Sequence, residues 1–329
     1  MARDVGIKDV ADHAGVSDST VSNVINRPEL VAERTLNRVR ASMAELGFVV
    51  NAAARQLRLG DTRTLGMVLQ DIGTTFFADF ARDCADAAER ASYSIMLSSS
   101  DQQGEREDQR LRMFEEQRIA GLLVIPVAGE TEAMRGLADR GVAMVAFGAH
   151  LDETRFCSVV VDDEAGGRLA VEHLIQRGRK EIVYIGAQIP QVAARFHGGE
   201  TAALEAGVSV EWIETSGERF QDGDAAAARM LSRDRLPNGI FASNDAVAAG
   251  ALRHFLRAGV RIPQEIAIVG HDDADIARQS QIELTTIRQP REVLAEVGVR
   301  LLLEHIGEGG GHHHQFVTLM PELVIRESS

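Results

Sequence analysis

The stretch IKDVADHAGVSDSTVSNVIN, residues 7–26, decides how the beginning of this chain folds. Apolar residues recur at the i, i+3, i+4 and i+7 positions of one helical face, at Ile7, Val10, Ala11 and Ala14. Gly15 ends this predicted helix, and the hydroxyl of Ser17 is placed to cap a second helix. The buried stripe of the second helix is predicted at Val21, Val24 and Ile25.

A third helix is predicted from about Ala32 to Gly47, after Pro28 has closed the second. Its inward positions are Leu36, Val39, Met43 and Leu46. Two helices joined by a tight glycine-containing turn and braced by a third form a helix-turn-helix. Short polar residues remain on the outer face of the second helix, where a recognition helix faces DNA bases, at Asp18, Ser19, Ser22 and Asn23. The alternative is a three-helix bundle whose outer face is only solvated.

Composition indicates that the chain has several domains and functions in a reducing compartment. The chain has 329 residues, of which 45% are hydrophobic and 26% charged, enough for two ordinary cores and a small third module. The apolar runs are too short for a membrane span and the N-terminus is charged, so a cytoplasmic location and no membrane partner are expected. Cys84 and Cys157 lack metal-ligand spacing and are predicted to be small buried thiols.

The charge is distributed unevenly along the chain. The net charge is −14, which would repel nucleic acid if it were uniform. Residues 1–60, however, carry eight Lys and Arg against seven Asp and Glu, whereas the remainder carries 27 against 42. The head is therefore slightly basic and the body strongly acidic.

Beyond Gly60, short apolar strands alternate with helical stretches of roughly a dozen residues. The predicted strands are TLGMVL, SIMLSS, GLLVIPV, AMVAFG, SVVVD, EIVYIG, VEWIET, GIFASN and EIAIVG. This alternation predicts an α/β fold with parallel, doubly wound sheets. Nine strands would be many for one sheet, so two lobes are expected, with ligand bound in the cleft at the carboxyl ends of the strands.

Several segments at consistent spacing resemble the LacI/GalR family of bacterial repressors. They include IKDVADHAGVSDSTVSNVIN, TRTLGMVLQDIGTTFFADF, SVVVDDEAGGRLAVEHLIQRGRKEIVYIG and FASNDAVAAGALRHFLRAGVRIPQEIAIVGHDD. The resemblance runs over more than 300 residues and implies a helix-turn-helix head with a hinge helix, followed by a two-lobed core of the periplasmic-binding-protein type.

The resemblance also implies which residues contact DNA. In the head these are Asp18, Ser19, Thr20, Ser22, Asn23 and Asn26. In the hinge helix, residues 51–58, they are Asn51, Ala54, Arg55 and Leu57, with Leu57 as a wedge in the minor groove. Gly6 stands where the family usually has a Thr that caps the first helix. As an alternative, residues 51–58 are only a flexible linker.

Three crossings between the lobes are expected, near Val161, Arg288 and Phe316. They predict a DNA-binding domain at residues 1–60, a first lobe at 61–161 plus 289–315, and a second lobe at 162–288 plus 316–329. The tail lacks a heptad repeat, so a homodimer is favoured over a tetramer.

The cleft residues are predicted from strand ends together with the resemblance. They are Phe76, Phe77, Arg195, Phe220, Asn244, Asp272 and Gln289. Each has a plainer alternative, since a Phe pair is often core, an Arg can be a surface charge and an Asp can cap a helix. The expected effector is a carbohydrate, with a nucleoside or a phosphorylated sugar as alternatives.

Two other classes of function, an enzyme and a transport-type binding protein, are alternatives to a repressor. An enzyme would need a catalytic motif, and the sequence has no GxxxxGK[ST], HExxH, CxxC or GxSxG, so neither catalytic residues nor a cofactor are expected. The segment GEGGGHHH, residues 307–314, has a metal-binding composition, but a solvent-exposed loop is the simpler interpretation and no metal site is predicted. A transport-type binding protein would need an export signal where this chain has the helix-turn-helix.

The predicted mechanism joins the three parts of the chain. A homodimer places two heads on a palindromic operator in double-stranded DNA, and a small-molecule effector in the cleft changes how the lobes hold those heads.

Overall fold

The computed structural model describes residues 5–48 and 62–329. The chain divides into two compact units, Met1–Thr62 and Arg63–Ser329. The described residues of the smaller unit form helices, and the larger unit contains two sheets flanked by helices, so the predicted helix-turn-helix head and two-lobed α/β core are confirmed. Within the described ranges, no helix combines the length and apolar character needed to cross a bilayer.

The head contains the three predicted helices, α1 (Ile7–Ala14), α2 (Asp18–Asn26) and α3 (Glu33–Glu45). Gly15 ends α1 with a φ of 61°, a left-handed conformation that a residue with a side chain rarely adopts. Ser17 Oγ caps α2 by accepting the backbone N–H of Thr20 at 3.2 Å. At the start of α1, where Gly6 offers no side chain, the backbone N–H of Gly6 donates to Asp9 Oδ2 at 2.8 Å.

The head has its own core, formed by the periodic apolar residues of all three helices. Its fully enclosed members are Val10, Ala11, Ala14, Val21, Val24 and Val39. Each turn of α2 therefore contributes a valine inward, which leaves the short polar residues of this helix on its outer side.

The larger unit has twelve strands. In chain order they are β1 (Thr64–Leu69), β2 (Ser94–Ser99), β3 (Gly121–Val124), β4 (Ala143–Phe147), β5 (Cys157–Val161), β6 (Glu181–Gly186), β7 (Ser209–Glu214), β8 (Gly239–Ala242), β9 (Ala267–Asp272), β10 (Thr285–Arg288), β11 (Phe316–Leu319) and β12 (Glu322–Val324). The first sheet has the order β11-β5-β4-β3-β1-β2 and the second β12-β10-β9-β8-β6-β7. All pairs are parallel except β10 with β12. Every strand predicted from the sequence is present.

Helices cover both faces of the sheets, as a doubly wound fold requires. They are α4 (Thr75–Arg90), α5 (Gly104–Glu116), α6 (Glu132–Asp139), α7 (Asp163–Gln176), α8 (Pro190–Glu205), α9 (Phe220–Leu231), α10 (Asp245–Arg257), α11 (Asp275–Gln279) and α12 (Arg291–Glu308). Helix α12 follows the second sheet in sequence but packs on the first, with Leu294, Val299 and Leu302 in its core.

The chain crosses between the two lobes at three places. The first two follow Val161 and Arg288, where β5 and β10 end. The third was predicted at Phe316 and is wrong, because β11 pairs with β5 in the first sheet, with Phe316 opposite Ser158. The chain changes lobe only after Leu319, so residues 316–319 belong to the first lobe. Strands β10 (TTIR) and β11 (FVTL) were not predicted, because neither is an uninterrupted apolar run like those of the equally short β3 and β8.

Helices α7 and α8 approach each other through glycines inside both helices. A Cβ atom at Gly167 would lie 1.8 Å from the carbonyl oxygen of Arg195, and one at Gly198 would lie 1.9 Å from that of Glu164. Helices α9 and α10 meet in the same way at Gly223 and Gly250. At each contact a glycine of one helix packs directly on the backbone of the other. This close packing fixes the position of α8 and therefore the position of its polar side chains.

Candidate functional site

The outer face of α2 presents the polar residues that the sequence assigned to DNA. Asp18, Ser19, Asn23 and Asn26 are exposed, and Thr20 and Ser22 are half-buried. Since α2 is the second helix of the helix-turn-helix, this is the face that would enter a major groove.

Most of these polar groups are already hydrogen-bonded to each other. Ser17 Oγ lies 2.7 Å from Ser19 Oγ and 2.9 Å from Thr20 Oγ1. Asn26 Nδ2 donates to the backbone oxygen of Ser22 at 2.9 Å. The exposed amide of Asn23 lies on the same face, between these two hydrogen-bonded groups. The predicted hinge contacts, Asn51, Ala54, Arg55 and Leu57, lie outside the described residues.

A second candidate site is the cleft between the two lobes of the larger unit, which encloses about 930 Å³ including its open mouth. Six of the seven predicted effector residues line it, and they are Phe76, Phe77, Arg195, Asn244, Asp272 and Gln289. The seventh, Phe220, does not. It begins α9 and packs on the second-lobe core, with the guanidinium carbon of Arg253 4.3 Å from its ring centroid. The placement of Phe220 in the cleft was therefore wrong.

One wall of the cleft is aromatic. Phe76 and Phe77 are half-buried at the start of α4, with ring centroids 5.5 Å apart. Phe76 stacks on Phe80, and Phe80 meets Phe147 edge-on at 4.9 Å. Phe80 is fully buried and anchors the group to the first-lobe core. The wall is thus a rigid apolar surface that could cover the face of a ring.

The opposite wall is polar and is organised around Arg195 on α8. Arg195 Nε donates to Asp163 Oδ1 at 2.7 Å and Nη1 donates to the carbonyl oxygen of Ser243 at 2.6 Å. The side chain is 10% exposed and its partner Asp163 is 14% exposed. The guanidinium is therefore held in one orientation with part of its edge toward the cleft, and is not a surface charge.

Glu218 lies beside this pair and was not predicted. Its Oε1 accepts the backbone N–H of Ala187 at 2.5 Å, and its Oε2 accepts from the hydroxyl of Ser243 and from Asn244 Nδ2. Asn244 also caps α10, since its Oδ1 accepts the N–H of Val247 at 2.8 Å. Both polar atoms of Asn244 therefore have protein partners, so its part in the cleft is to hold Glu218.

Burial raises the pKa of Glu218 to about 7, although its hydrogen-bond donors and Arg195 favour the carboxylate. The native state then holds this proton more tightly than the unfolded state. The stability that Glu218 contributes is present at low pH and is lost as the pH rises from the ordinary carboxyl range to about 7.

Glu218→Gln removes this titration. Between about pH 5 and about pH 8 the unmodified chain should lose about 2 kcal/mol of free energy of unfolding that the variant keeps. The difference, variant minus unmodified chain, should therefore increase by this amount over the range. Urea unfolding at both pH values measures it, with Glu214→Gln, an exposed glutamate of the same lobe, as the control. A difference for Glu218→Gln that stays constant over this range would contradict the assignment.

Asp272 ends β9 and is held by two neighbours. Its Oδ1 accepts from Gln289 Nε2 at 2.7 Å and lies 3.0 Å from His271 Nδ1. Burial lowers the pKa of His271, so its ring is neutral at pH 7. Asp272 has a φ of 108°, a strained conformation for a residue other than glycine. Strain of this kind persists where surrounding contacts hold the residue in place, and here the side chain is held by Gln289 and His271.

Besides the Gln289–Asp272 hydrogen bond, two further polar contacts among the described residues join the lobes across the cleft. Arg219 of the second lobe donates from Nε and Nη2 to Asp71 Oδ2 of the first, at 3.0 and 2.8 Å. Gln191 Nε2 donates to the carbonyl oxygen of Gly148 at 2.9 Å. Asp71 follows the end of β1, and its carboxylate joins the lobes through Arg219.

Some of the cleft residues that were not predicted are marked by a strand end in the sequence, and others are not. Asp163 lies two residues after the crossing strand in VVVDDEAGG, so the strand-end rule could have found it. Gln70 likewise follows β1. Glu218 and Gln191 sit in loops or helix starts whose approach to the cleft depends on the fold, and no pattern in the sequence marks them.

Comparison with known proteins agrees with this architecture. Residues 6–51 match the family described as bacterial regulatory proteins, lacI family, and residues 171–329 match a periplasmic binding protein-like domain. The HTH-type transcriptional repressor PurR of Histophilus somni strain 129Pt is 31% identical, with 98% of each chain covered.

Solved structures of regulators are similar over nearly the whole chain. The transcriptional regulator CelR in complex with cellobiose is 26% identical, with a TM-score of 0.73 and coverage of 99% of this chain and 100% of that one. The Lac repressor bound to ONPG in the repressed state is 25% identical, with a TM-score of 0.85 and the same coverage. The chain therefore belongs to the LacI family of bacterial regulatory proteins, and is a transcriptional repressor that binds DNA and responds to a small-molecule effector.

Proposed function

We propose that the effector is an uncharged, polyhydroxylated molecule of the sugar class, bound in the cleft between the two lobes. The observation that carries this proposal is the pairing of the Phe76–Phe77 wall with a wall of carboxyl groups. A sugar has one apolar ring face for aromatic side chains and hydroxyls that donate to carboxylate oxygens.

The charge balance of the cleft favours an uncharged ligand. Four carboxyl groups line it, and they belong to Asp163, Glu218, Asp245 and Asp272. Among the described lining residues, Arg195 is the single cation, and Asp163 already pairs with it. A phosphorylated sugar would add negative charge to this surface with no further cation to meet it, so the phosphorylated alternative is disfavoured.

The similar regulator CelR forms a complex with cellobiose, which supports a carbohydrate effector. A nucleoside remains the second candidate, because the Phe76–Phe77 pair could also stack on a base and the Asp272 carboxylate could accept from its amino group. Both candidates use the same walls, and they differ in the ring that the phenylalanines cover.

A thermal-shift screen separates the two. We expect sugars to raise the melting temperature of the purified chain, because a ligand that binds only the folded state stabilises it. Nucleosides and phosphorylated sugars form the comparison arms. A shift with nucleosides alone would replace the sugar assignment, and no shift in any arm would contradict both candidates.

For DNA, we propose that two chains form a dimer and place two copies of α2 in successive major grooves of a palindromic operator. The exposure of Asp18, Ser19, Asn23 and Asn26 on one helix supports this proposal. The minor-groove contacts of Asn51, Ala54, Arg55 and Leu57 stay a prediction from the sequence. A DNA partner would place the chain in the cytoplasm, at the nucleoid.

Asn23→Ala should weaken specific binding and leave nonspecific binding unchanged. The amide of Asn23 is exposed between two internally bonded groups, and a good amide contact to a base contributes about 1–3 kcal/mol of discrimination. We expect an approximately 10- to 100-fold loss of affinity for a genomic fragment selected with the unmodified chain, measured by gel shift. Asn37→Ala, an exposed amide on α3, is the matched control, and equal losses for both variants would contradict base reading by Asn23.

We propose that closure of the cleft transmits the effector signal. The lobes already meet through Arg219 with Asp71 and Gln191 with Gly148, so a ligand that contacts both walls would add to these contacts. Coupling is reciprocal, so effector and operator must change each other's affinity by the same factor. We assign the carboxyl groups of the cleft to ligand binding and not to catalysis.

A further inference from the structure

The histidine-rich loop between α12 and β11 does not lie free in solvent. The sequence favoured an exposed loop for GEGGGHHH, but the side chain of His312 is only 2% exposed. Residues alternate along the loop, so that His312 and His314 face inward and His313 is exposed. The inward pair meets Cys157, the buried first residue of β5.

The three side chains converge through atoms that bind metals. Cys157 Sγ lies 3.2 Å from His312 Nε2 and 3.9 Å from His314 Nδ1. All three atoms lie within 4.8 Å of one another. Zinc–sulfur bonds of about 2.3 Å and zinc–nitrogen bonds of about 2.0 Å in a tetrahedron place such atoms about 3.5 Å apart. The observed separations bracket that value.

The surroundings of the cluster orient its members as in known metal centres. Glu308 Oε2 lies 2.7 Å from His312 Nδ1, so a carboxylate holds the far nitrogen of the ring while Nε2 faces Cys157. Such carboxylate–histidine pairs commonly orient a metal-bound imidazole. The backbone N–H of Gln315 donates to Cys157 Sγ at 3.4 Å.

An independent observation points to the same place. The Nδ1 atom of His305 is buried without a hydrogen-bond partner among residues 5–48 and 62–329. The His305 ring stacks on His312 at 4.7 Å and meets His314 edge-on at 4.9 Å. A buried nitrogen without a partner is costly.

We propose that Cys157, His312 and His314 bind a divalent transition-metal ion of the zinc type, with His305 next to the remaining coordination position. One thiolate and imidazole nitrogens favour Zn²⁺ and similar ions over Ca²⁺ or Mg²⁺, which prefer oxygen. Glu308 acts as the residue that positions His312.

The site lies at the amino ends of strands β5 and β11, whereas the effector cleft lies at the carboxyl ends of the strands. Cys157 begins β5, and β11 runs parallel to it from Phe316, so both strands start at the metal site and run toward the cleft. The ion would tie together the end of α12, the loop before β11 and the start of β5. This inference does not depend on the identity of the effector.

Cobalt binding to the full-length, metal-free, reduced chain tests the proposal. Co²⁺ bound to a thiolate gives a sulfur-to-metal charge-transfer band and the visible bands of a tetrahedral ion. We expect both bands to saturate at one Co²⁺ per chain and to be displaced by Zn²⁺. Cys157→Ala should abolish the charge-transfer band, and Cys84→Ala, which removes the other buried thiol, should leave it unchanged.

Histidine variants keep the test decisive if the loss of Cys157 prevents folding. His312→Ala and His314→Ala should lose the tetrahedral spectrum, whereas His313→Ala, at the exposed neighbour, should retain it. Glu308→Gln should weaken Co²⁺ binding about 10- to 100-fold without abolishing it. Folding of each variant is checked by circular dichroism. The proposal is overturned if the unmodified chain shows no charge-transfer band, or if the band persists in folded Cys157→Ala.

Discussion

Gly167→Ala is expected to destabilise the second lobe by about 3 kcal/mol or more. The added Cβ atom would lie 1.8 Å from the carbonyl oxygen of Arg195, a backbone atom that cannot rotate away. Helices α7 and α8 would have to separate along a contact where Gly198 meets Glu164 in the same way. Overpacking of this kind typically costs 1–3 kcal/mol and more when only backbone can yield.

Urea unfolding followed by the single tryptophan measures this loss. Trp212 lies in β7, with its ring 4.9 Å from that of Phe196 on α8, so its fluorescence reports on the affected helix. Gly104→Ala is the matched control, because a Cβ atom there meets nothing within 4 Å. If the two alanine variants unfold at the same urea concentration, the close approach of α7 and α8 is not required for stability.

Arg195→Leu is expected to remove both stability and effector binding. It leaves the Asp163 carboxylate, 14% exposed, without its cation, and leaves the Ser243 carbonyl without a donor. Removing one member of a buried ion pair costs about 3–5 kcal/mol because the remaining charge stays desolvated. Since Arg195 also supplies the cation of the cleft, the melting-temperature shift produced by the effector should disappear.

The double variant Asp163→Asn with Arg195→Leu separates these two effects. Neutralising Asp163 removes the unpaired charge, so it should restore part of the free energy of unfolding while effector binding stays absent. Arg195→Lys should retain most of the stability but bind effector more weakly, because a single ammonium cannot reproduce two fixed N–H directions. An Arg195→Leu variant that binds effector like the unmodified chain would remove Arg195 from the site.

Much of the fold could be predicted from local patterns. The spacing of Val10, Val21 and Val39 with their neighbours was sufficient for the three head helices, since one buried face is all that such helices need. Apolar runs bounded by turns were sufficient for nine strands. Strand β11 was missed because FVTL is short and interrupted by a polar residue. The lobe to which it belongs depends on its pairing with residues more than 150 positions earlier.

Strand ends marked part of the candidate site. Asn244, Asp272 and Gln289 end or closely follow strands, and the structure brings them to the cleft, whereas Arg195 reaches it from within α8. Phe220 was assigned from resemblance, and its ring turns to Arg253 instead. Glu218 was missed because burial of a loop carboxylate is a property of the packed lobe. The contact of Cys157 with His312 spans 155 positions, which no local pattern reveals.

The most direct test of the central claim is operator binding measured by fluorescence anisotropy with and without the effector. The full-length chain is titrated into a labelled duplex recovered from genomic fragments, against a scrambled duplex of equal length. We predict at least about 1,000-fold preference for the recovered duplex. We also predict an effector-induced change of roughly 5- to 150-fold that Arg195→Leu abolishes. Equal affinity for both duplexes, or affinity that no cleft ligand changes, would contradict the account.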